Sequence, residues 1–300
     1  MTSAAASSRS APPVLQGVRD VADRYDSYIL DLWGCVHNGI APFPGAKDAL
    51  RHLKQAGKRL LLLSNAPRRA SVIVEQLARV HGIGGDLYDA VLTSGEVAWQ
   101  ALLKRDDAQH AKLGTHALHL GPERDLGMFE GNGIVRVTDV AKADFVLATG
   151  PNTDDLDVVA HEPLLQAALR RRLPLVCANP DLEVIRGETR LVCAGAIAER
   201  YAEIGGEVIY HGKPHAITYR AAMATLGKPD PGRVLCVGDG LRTDILGANR
   251  AGLASAFIPG GIHDTDLGIR MGDAPDTVRA AALLQRFGTT ATYLLPALRW

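Results

Sequence analysis

Short apolar runs alternate with amphipathic stretches along most of the chain. The runs have the length of buried strands, and the stretches between them have the apolar spacing of helices that bury one face. That alternation is typical of a parallel sheet covered by helices. In the first part of the chain the predicted strands are Tyr28–Leu30, Lys58–Leu63 and Tyr88–Leu92, and the predicted helices are Gly45–Gln55, Arg68–His81 and Glu96–Leu103.

The pattern changes after about Leu103 and returns near Gly206. In the block between them a polar, loop-like stretch comes first and a second series of strands and helices follows. The elements predicted there are the strands His116–Leu120, Phe145–Thr149 and Leu175–Ala178 and the helix Asp155–Arg172. Those predicted after it are the helices His215–Leu226 and Thr243–Ala251 and the strands Arg233–Val237 and Ser255–Ile258.

This organisation predicts an α/β fold with two domains. Both ends of the chain form a doubly wound, Rossmann-like parallel-sheet core, and the middle block is an inserted α/β domain. We place the core at residues 21–95 and 207–300 and the inserted domain at residues 96–206. Residues 1–20, which begin with an Ala- and Ser-rich stretch, are expected to be disordered.

Composition and charge exclude several classes of protein. Hydrophobic residues make up 47% of the 300 positions, and 33 basic residues balance 33 acidic ones. No net field therefore favours nucleic acid or an acidic membrane surface. No run of about 18 apolar residues predicts a membrane span, and the N-terminus lacks the apolar segment of a secretory signal. We expect a cytoplasmic protein with neither nucleic acid nor a membrane as its partner.

The cysteines support the same compartment. They lie singly in apolar surroundings, at Cys35, Cys177, Cys193 and Cys236. Since none forms a Cys-x-x-Cys pair, the sequence predicts no zinc site. Reduced, buried thiols of a cytosolic protein are the favoured interpretation.

Four polar clusters fall where predicted strands end or in the turns beside them, at the edge where open parallel sheets bind ligands. They are Asp31-Leu32-Trp33-Gly34, Ser64-Asn65, Gly212-Lys213-Pro214, and Gly238-Asp239-Gly240 with Thr243-Asp244. Each has an ordinary explanation when taken singly. The aspartates and the lysine suit turns and exposed loops, and Ser64 suits a helix cap.

Together the clusters predict a site for phosphoryl transfer. Asp31, Asp239 and Asp244 supply the hard oxygen ligands that Mg²⁺ prefers. Lys213 would reduce the repulsion between an anionic nucleophile and a phosphate dianion. The Ser64 hydroxyl and backbone N–H groups at a helix start would hold phosphate oxygens. Phosphoryl transfer is catalysed mainly by such positioning and charge stabilisation.

The order of these clusters resembles the four-motif pattern of the haloacid dehalogenase superfamily. The stretch 238–245 is particularly similar to the class IIA branch, which includes N-acetylglucosamine-phosphate and 4-nitrophenylphosphate phosphatase-like proteins. The insertion between the second and third motifs suits that branch, whose α/β cap domain is inserted there. Residues 178–181 and 194–196 also resemble its cap, and the match spans residues from about 24 to 260.

The resemblance implies a Mg²⁺-dependent phosphohydrolase that acts on a small phosphorylated metabolite through an aspartyl-phosphate intermediate. It assigns Asp31 as the nucleophile and Lys213 as the bridge between the nucleophile and the phosphoryl oxygens. Ser64 would hydrogen-bond the phosphate, with Asn65 beside it as a further substrate-binding residue. Family members are often dimers, which makes a homodimer an expectation by analogy.

The resemblance also implies the ligands of the Mg²⁺ ion. Asp31 would be the first ligand, and the backbone carbonyl of Trp33 would be the second. Asp239 would bind the metal directly, and Asp244 would be a ligand or a supporting residue.

One position departs from the family pattern. Phosphatases of the family carry a second Asp two residues after the nucleophile, which protonates the leaving group and later activates water. Trp33 occupies that position, and an indole can donate a hydrogen bond but cannot transfer a proton at neutral pH. This change predicts slow hydrolysis of poor leaving groups. His37 is the alternative acid in the same loop.

Other functions remain open at this point. A response-regulator receiver is disfavoured because its acidic pair precedes the accepting Asp, and a metal-free dehalogenase is disfavoured by the Asp239–Asp244 pair. A phosphate-ligand-binding or regulatory protein that has lost turnover is favoured by Trp33. Substrate choice is expected to lie in the cap, where Asn179 and Asp181 are candidate substrate-binding residues. Ordinary turns and helix caps are an alternative that the sequence favours at least as much.

Overall fold

A computed structural model describes residues 11–152, 158–187 and 189–300 of the chain. The strands in these residues are, in chain order, β1 Ser27–Asp31, β2 Arg59–Ser64, β3 Ala90–Thr93, β4 His116–Leu120, β5 Val135–Val137, β6 Phe145–Ala148, β7 Leu175–Cys177, β8 Glu183–Arg186, β9 Thr189–Val192, β10 Val208–Tyr210, β11 Val234–Gly238, β12 Ala254–Phe257 and β13 Tyr293–Leu294. The α-helices are α1 Ala46–Gln55, α2 Ala70–His81, α3 Ser94–Lys104, α4 Glu162–Arg170, α5 Ala194–Glu203, α6 Ala216–Thr225, α7 Leu246–Ala251, α8 Asp264–Leu267 and α9 Thr277–Arg286. Within this part of the chain no helix is long and apolar enough to cross a membrane.

The core sheet is parallel throughout, with the strand order β13-β12-β11-β1-β2-β3. Successive side chains of β1 point to opposite faces, so Leu30 packs with α1 and α2 on one side and Ile29 packs with α6 and α7 on the other. Both faces are therefore covered, which explains why the strands are continuous apolar runs.

The inserted domain has its own parallel sheet, with the order β10-β7-β6-β4-β5. Helices α4 and α5 pack on one face of it and α3 on the other. The antiparallel hairpin β8–β9 extends from the loop after β7. The predicted fold, a doubly wound core with an inserted α/β cap, is confirmed.

The division of the chain at residues 96 and 206 stays a prediction. Helix α3 lies across the first boundary, and β10 follows the second one. Helix α3 packs Val97 in a core cluster and Leu102 in a cap cluster. Strand β10, which the prediction places in the core, pairs with β7 of the cap sheet. A border drawn between the two sheets would fall after Tyr210.

The N-terminal prediction needs a correction. Residues 1–10 of the predicted disordered segment lie outside the described residues. Val14 forms a β-bridge with Leu294, and Leu15 and Val18 are buried in the core cluster. The prediction is wrong for residues 14–20, because apolar side chains there help to close the core beside β13.

The long helix predicted at Asp155–Arg172 is also shorter in the described residues. Its first residues up to 157 lie outside them, a 3₁₀ turn covers Val158–His161, and α4 begins at Glu162 with Pro163 in its first turn. A proline is suited to that place because it has no N–H to donate. The pattern did not predict α5, α8, α9, β5, β8, β9, β10 or β13, most of which are short or partly exposed.

Candidate active site

Three strands of the core sheet end in polar residues at one edge. Asp31 is the last residue of β1, Ser64 is the last residue of β2, and Asp239 directly follows β11. Because β1 pairs in parallel with both β2 and β11, these ends meet in the middle of the sheet. The side chains lie at the carboxyl edge, where the sequence predicts the site.

A compact cluster of carboxylates forms at this edge. Asp31, Asp239 and Asp244 are buried, and ligand oxygens of the three lie within 4.8 Å of one another. Asp244 comes from the π-helical turn Leu241–Ile245, which precedes α7 and replaces the start of the helix predicted at Thr243–Ala251. Such wide turns occur frequently at functional sites.

Lys213 places an ammonium group against this cluster. Its Nζ donates to Asp31 Oδ1, to Asp244 Oδ1 at 2.8 Å and to the Leu63 carbonyl at 3.3 Å. Three acceptors match the three donors of an ammonium group. The Lys213 side chain is only 4% exposed, so this charge is held against Asp31 and Asp244 rather than in solvent.

Asn65 holds the backbone of Lys213 in place. Its Oδ1 accepts from Lys213 N at 2.7 Å, and its Nδ2 donates to Lys213 O at 3.2 Å and to Asp181 Oδ1 at 2.8 Å. These bonds use both the acceptor and the donor of the amide. The side chain therefore positions the loop that carries Lys213, called here the lysine loop (Gly212–Pro214). The substrate contact of Asn65 stays a prediction.

Burial and mutual repulsion shape the ionisation of the cluster. Burial, followed by the charge of Asp244, raises the pKa of Asp31 well above its ordinary value. The same causes raise the pKa of Asp239 to about 7. Burial opposes the charge of Lys213, but Asp244 and Asp31 outweigh it and hold the pKa of this lysine above its usual value. When all three carboxylates are ionised, they carry more negative charge than Lys213 compensates, and their mutual repulsion is one cause of the raised pKa values.

The cluster fits a divalent cation. When fully ionised, three carboxylates and one ammonium leave two negative charges, which such an ion would balance. Among the described residues, Asp31 Oδ2 and Asp239 Oδ1 accept no hydrogen bond, and Asp239 Oδ2 is oriented by Ile262 N at 2.6 Å. Asp244 differs, because Oδ1 accepts from Lys213 and Oδ2 accepts from Gly240 N at 3.1 Å.

Backbone groups complete the surroundings of Asp239. No hydrogen bond to the Trp33 carbonyl is found within the described part of the chain, which leaves that oxygen available as a ligand. A Cβ at Gly34 or at Gly261 would lie 2.0 or 2.1 Å from Asp239 Oδ2. Only glycine fits at these two positions while the carboxylate keeps its place.

Ser64 faces a small cavity beside the loop that follows β1 at residues 32–37. This loop is called the nucleophile loop here, after the role predicted for Asp31. The cavity has a volume of about 30 Å³ and is lined on this side by Leu32, Trp33 and Ser64. Ser64 Oγ accepts from Ala66 N at 3.1 Å, which leaves its proton available for a ligand. Since α2 begins only at Ala70, Ser64 is not the cap of that helix.

Comparison with known proteins agrees with this arrangement. A family model described as haloacid dehalogenase-like hydrolase matches residues 28–135, and one described as HAD-hydrolase-like matches residues 210–283. The crystal structure of a haloacid dehalogenase-like hydrolase from Brucella suis is 32% identical, covers 95% of this chain and 100% of that one, and superposes with a TM-score of 0.80. The chain belongs to the haloacid dehalogenase-like hydrolases.

Curated relatives are similar over most of their length. Chronophin from Bos taurus is 27% identical over 83% of this chain and 86% of its own. The ribonucleotide monophosphatase NagD from Escherichia coli is 27% identical over 79% of this chain and 89% of its own. The expectation of a phosphatase-type enzyme from the class IIA branch of the superfamily is confirmed.

Trp33 connects the core to the cap. Its Nε1 donates to the Ile185 carbonyl of the β8–β9 hairpin at 2.5 Å. Its ring packs edge-on against His37, which stacks on His81 with ring centroids 4.2 Å apart. The indole therefore fixes the hairpin over the nucleophile loop.

His37, the alternative acid suggested by the sequence, is in a poor state to protonate a leaving group. It is buried, and burial together with the neighbouring His81 lowers its pKa to about 3. Its Nδ1 accepts from Gly39 N at 3.0 Å, so the ring is neutral with its proton on Nε2. A neutral imidazole is too weak an acid to protonate an alkoxide at pH 7.

The cap contributes the Asn179–Asp181 turn to the active-site region of this haloacid dehalogenase-like enzyme. Asn179 Oδ1 accepts from Asp181 N at 3.0 Å, so Asn179 stabilises the turn. Asp181 lies nearer the core, where its Oδ1 accepts from Asn65 and burial raises its pKa to about 6. The turn places Asp181 beside Asn65 and the lysine loop, and the substrate contacts of Asn179 and Asp181 stay predictions.

Sequence reasoning missed Ser94, which lies where the core meets the cap beside the candidate site. Its hydroxyl lies 2.7 Å from the Asn65 carbonyl, 3.1 Å from the Ala66 carbonyl and 2.5 Å from the Ala178 carbonyl of the cap. One proton serves these acceptors in turn. Ser94 directly follows β3, so the rule that located the other clusters at strand ends would have found it.

Proposed function

We propose that the chain is a Mg²⁺-dependent phosphatase that hydrolyses a small phosphorylated metabolite through an aspartyl-phosphate on Asp31. The observation that carries this proposal is the buried contact of Lys213 with Asp31 and Asp244 beside Asp239. Three buried carboxylates and a compensating ammonium are thereby collected at one sheet edge, where they would serve as nucleophile and cation ligands. The phosphatase-type relatives support the reaction class.

The residues of the chain have distinct parts in this reaction. Asp31 Oδ2, which accepts no hydrogen bond in the described residues, would attack phosphorus while the bond to the leaving oxygen breaks. Lys213 would reduce the repulsion between that carboxylate and the incoming dianion, and the Ser64 hydroxyl would donate to a phosphoryl oxygen. Water would then attack the phosphorus of the aspartyl-phosphate, release inorganic phosphate and regenerate Asp31.

Asp31, Asp239 and the Trp33 carbonyl would hold the cation. When bound, Mg²⁺ would offset the charge of the phosphoryl group and of the carboxylates. Asp244 is assigned a supporting role, because both of its oxygens accept hydrogen bonds from the protein. Asn65 is likewise assigned the positioning of Lys213.

Trp33 supports a second candidate, a catalytically weakened phosphate-ligand-binding or regulatory protein of the same fold. The hydrogen bond of its indole N–H is committed to Ile185, and the neighbouring His37 is neutral. No proton donor for the leaving group is therefore identified in the nucleophile loop. Turnover of an aryl phosphate distinguishes this candidate from the enzyme.

Removal of divalent cations is expected to lower turnover of 4-nitrophenyl phosphate by at least about 10²-fold. The reason is that three buried carboxylates would otherwise repel the dianion. The measurement is the steady-state rate before EDTA treatment, after it, and after Mg²⁺ is restored. Restored activity supports the proposal, whereas full activity in the chelated sample would show that the carboxylates serve no cation.

Trp33→Asp is expected to raise the hydrolysis of alkyl phosphates by about 10-fold or more, because it restores the missing acid. Aryl phosphates should gain less, since their leaving groups depart unprotonated. The measurement is a leaving-group series, and Trp33→Phe is the control that loses the Ile185 hydrogen bond without gaining an acid. Equal rates for alkyl and aryl phosphates in the wild type would show that a proton is supplied from elsewhere.

We also propose a small phosphorylated metabolite as the partner and the cytoplasm as the location. All four cysteines are buried and free, as expected for a reducing compartment. The homodimer stays a prediction by analogy, with sedimentation of the purified protein as its measurement.

A further inference from the structure

A second cleft of the core domain lies outside the candidate active site. It has a volume of about 500 Å³ and is lined by Arg242, Leu246, Arg286 and Phe287. This volume is in the range of small-molecule sites. None of the four residues belongs to the candidate active site, and none carries a negative charge. We call this place the arginine cleft, since both of its charged residues are arginines.

The two arginines of the cleft have most of their hydrogen-bond donors available. Arg242 is exposed, and its guanidinium makes no hydrogen bond or ion pair with any described residue. Arg286 is 61% exposed and donates from one nitrogen to Asp266 Oδ1 at 2.8 Å. Because a guanidinium has five N–H donors, both groups can still donate to a ligand. The place of Arg286 at the end of α9 favours a cation there, but this explains only one of the two arginines.

Both guanidinium groups converge on one aromatic ring. The guanidinium carbons of Arg242 and Arg286 lie 5.6 and 5.3 Å from the centroid of the Phe287 ring. These distances are within the range of cation–π attraction. In the part of the chain that the structure describes, Asp266 is the one carboxylate that pairs with either arginine, and its other oxygen lies 2.8 Å from His263 Nδ1. The cleft therefore keeps a net positive charge, which an anion would balance.

The two walls of the cleft are fixed by the apolar core behind them. One wall belongs to the π-helical turn and the start of α7, and the other belongs to the end of α9 and the residue after it. Leu241 and Ile245 of the turn are buried in one apolar cluster with Leu284 of α9. Phe287 packs against the same cluster. The cleft is therefore formed before a ligand binds, as small-molecule sites usually are.

We propose that the arginine cleft binds a nucleoside phosphate, with the phosphate on Arg242 and Arg286 and the base against Phe287 and Leu246. Guanidinium groups match phosphate oxygens with paired hydrogen bonds. The aromatic and aliphatic wall suits a flat base, because every base has a π-face that can stack on an aromatic ring. An inorganic anion would use the arginines and leave this wall uncovered. The nucleotide binds here without being hydrolysed, since the lining residues include no nucleophile and no cation ligand.

The test is calorimetric titration of the full chain in excess EDTA, where the carboxylate cluster has no cation to offset the charge of a phosphate. The ligands are AMP, GMP, CMP and UMP, each compared with its nucleoside and with ribose 5-phosphate. At least one nucleotide should bind at one site per chain, about 10-fold or more tightly than its nucleoside or ribose 5-phosphate. Phe287→Leu should lower the affinity for the nucleotide to that for ribose 5-phosphate.

Arg242→Gln and Arg286→Gln should each weaken binding of the nucleotide by about 10-fold. Arg250→Gln is the matched control, because this exposed arginine of α7 does not line the cleft. Ser64→Ala is the control for the active site. Both controls should bind the nucleotide as the wild type does. If Arg242→Gln fails to fold, Arg286→Gln and Phe287→Leu still test the cleft from its other wall.

Three results overturn the inference. The first is that no nucleotide binds at millimolar concentration, and the second is that ribose 5-phosphate binds as tightly as every nucleotide. The third is binding that survives in both arginine variants. Loss of binding in Ser64→Ala would place the nucleotide at the active site and would overturn the inference as well. The titration needs no turnover, so the proposed function is tested separately by the hydrolysis of 4-nitrophenyl phosphate.

Discussion

Asp31→Asn is expected to lower the steady-state rate by at least about 10⁴-fold and to leave the fold intact. The amide is nearly isosteric with the carboxylate, but its oxygen is a poor nucleophile. The substitution also removes one of the two carboxylates that accept from Lys213. Burial and the neighbouring charge of Asp244 raise the pKa of Asp31, which means that they disfavour its charged form. The fold should therefore tolerate a neutral side chain at this position.

The measurements are circular dichroism and turnover of 4-nitrophenyl phosphate with Mg²⁺ present. Asp86→Asn is the matched control, since it makes the same chemical change at an exposed position away from the sheet edge. The control should keep the wild-type rate. Retention of more than a few per cent of activity in Asp31→Asn would mean that another group attacks phosphorus.

Lys213→Met is expected to reduce both stability and activity. Removal of one partner from a buried ion pair typically costs about 3–5 kcal/mol, because the remaining charge stays buried without compensation. Here Asp31 and Asp244 would face each other without the ammonium between them. Activity should fall by about 10³-fold, since the phosphate dianion would meet an uncompensated nucleophile.

Urea denaturation in EDTA measures the loss of stability, and Lys142→Met at an exposed position is the control. Mg²⁺ should restore part of the lost stability, because a ligand that binds only the folded state stabilises it. If Lys213→Met unfolds at the same urea concentration as the wild type, the ion pairs do not contribute to the fold in the way described. A stable but inactive variant would confine the role of Lys213 to catalysis.

The site could be located from the sequence because its residues follow strand ends. Asp31 and Asp239 flank the centre of a parallel sheet, and both strands are apolar runs that end abruptly in a polar residue. Ser64 follows the same rule on the neighbouring strand. Parallel pairing brings such ends together whatever the sequence between them, which is why residues more than 200 positions apart could be assigned to one site.

The contacts that decide each role could not be predicted in this way. The side-chain amide of Asn65 hydrogen-bonds to Lys213 and Asp181. Both residues are distant from Asn65 in the sequence and lie near it only because the cap packs against the core. Trp33 donates to a backbone carbonyl of a hairpin, and any residue type could supply that acceptor. Hydrogen bonds to backbone atoms leave no trace in the pattern of side chains.

The different partners of Arg68 and Arg69 have the same origin. Two adjacent arginines look alike in the sequence, but Arg69 pairs with Glu96 of α3, whereas Arg68 lies beside Asp125 of the cap. Only the packing of α3 and of the cap loop decides which partner each guanidinium meets.

The central claim is that Asp31 carries the phosphoryl group, and the most direct test is to trap that adduct. Wild-type protein is mixed with 4-nitrophenyl phosphate and Mg²⁺, quenched in acid within the first turnover, and mapped by peptide mass spectrometry. Because no proton-transferring residue has been identified in the nucleophile loop, the adduct should hydrolyse slowly and accumulate, with a burst of nitrophenolate. We expect a hydroxylamine-labile phosphoryl group on the peptide that contains Asp31, and none in Asp31→Asn. A phosphoryl group on Ser64 or on any other residue, or a full turnover without an adduct and without a burst, would contradict the account.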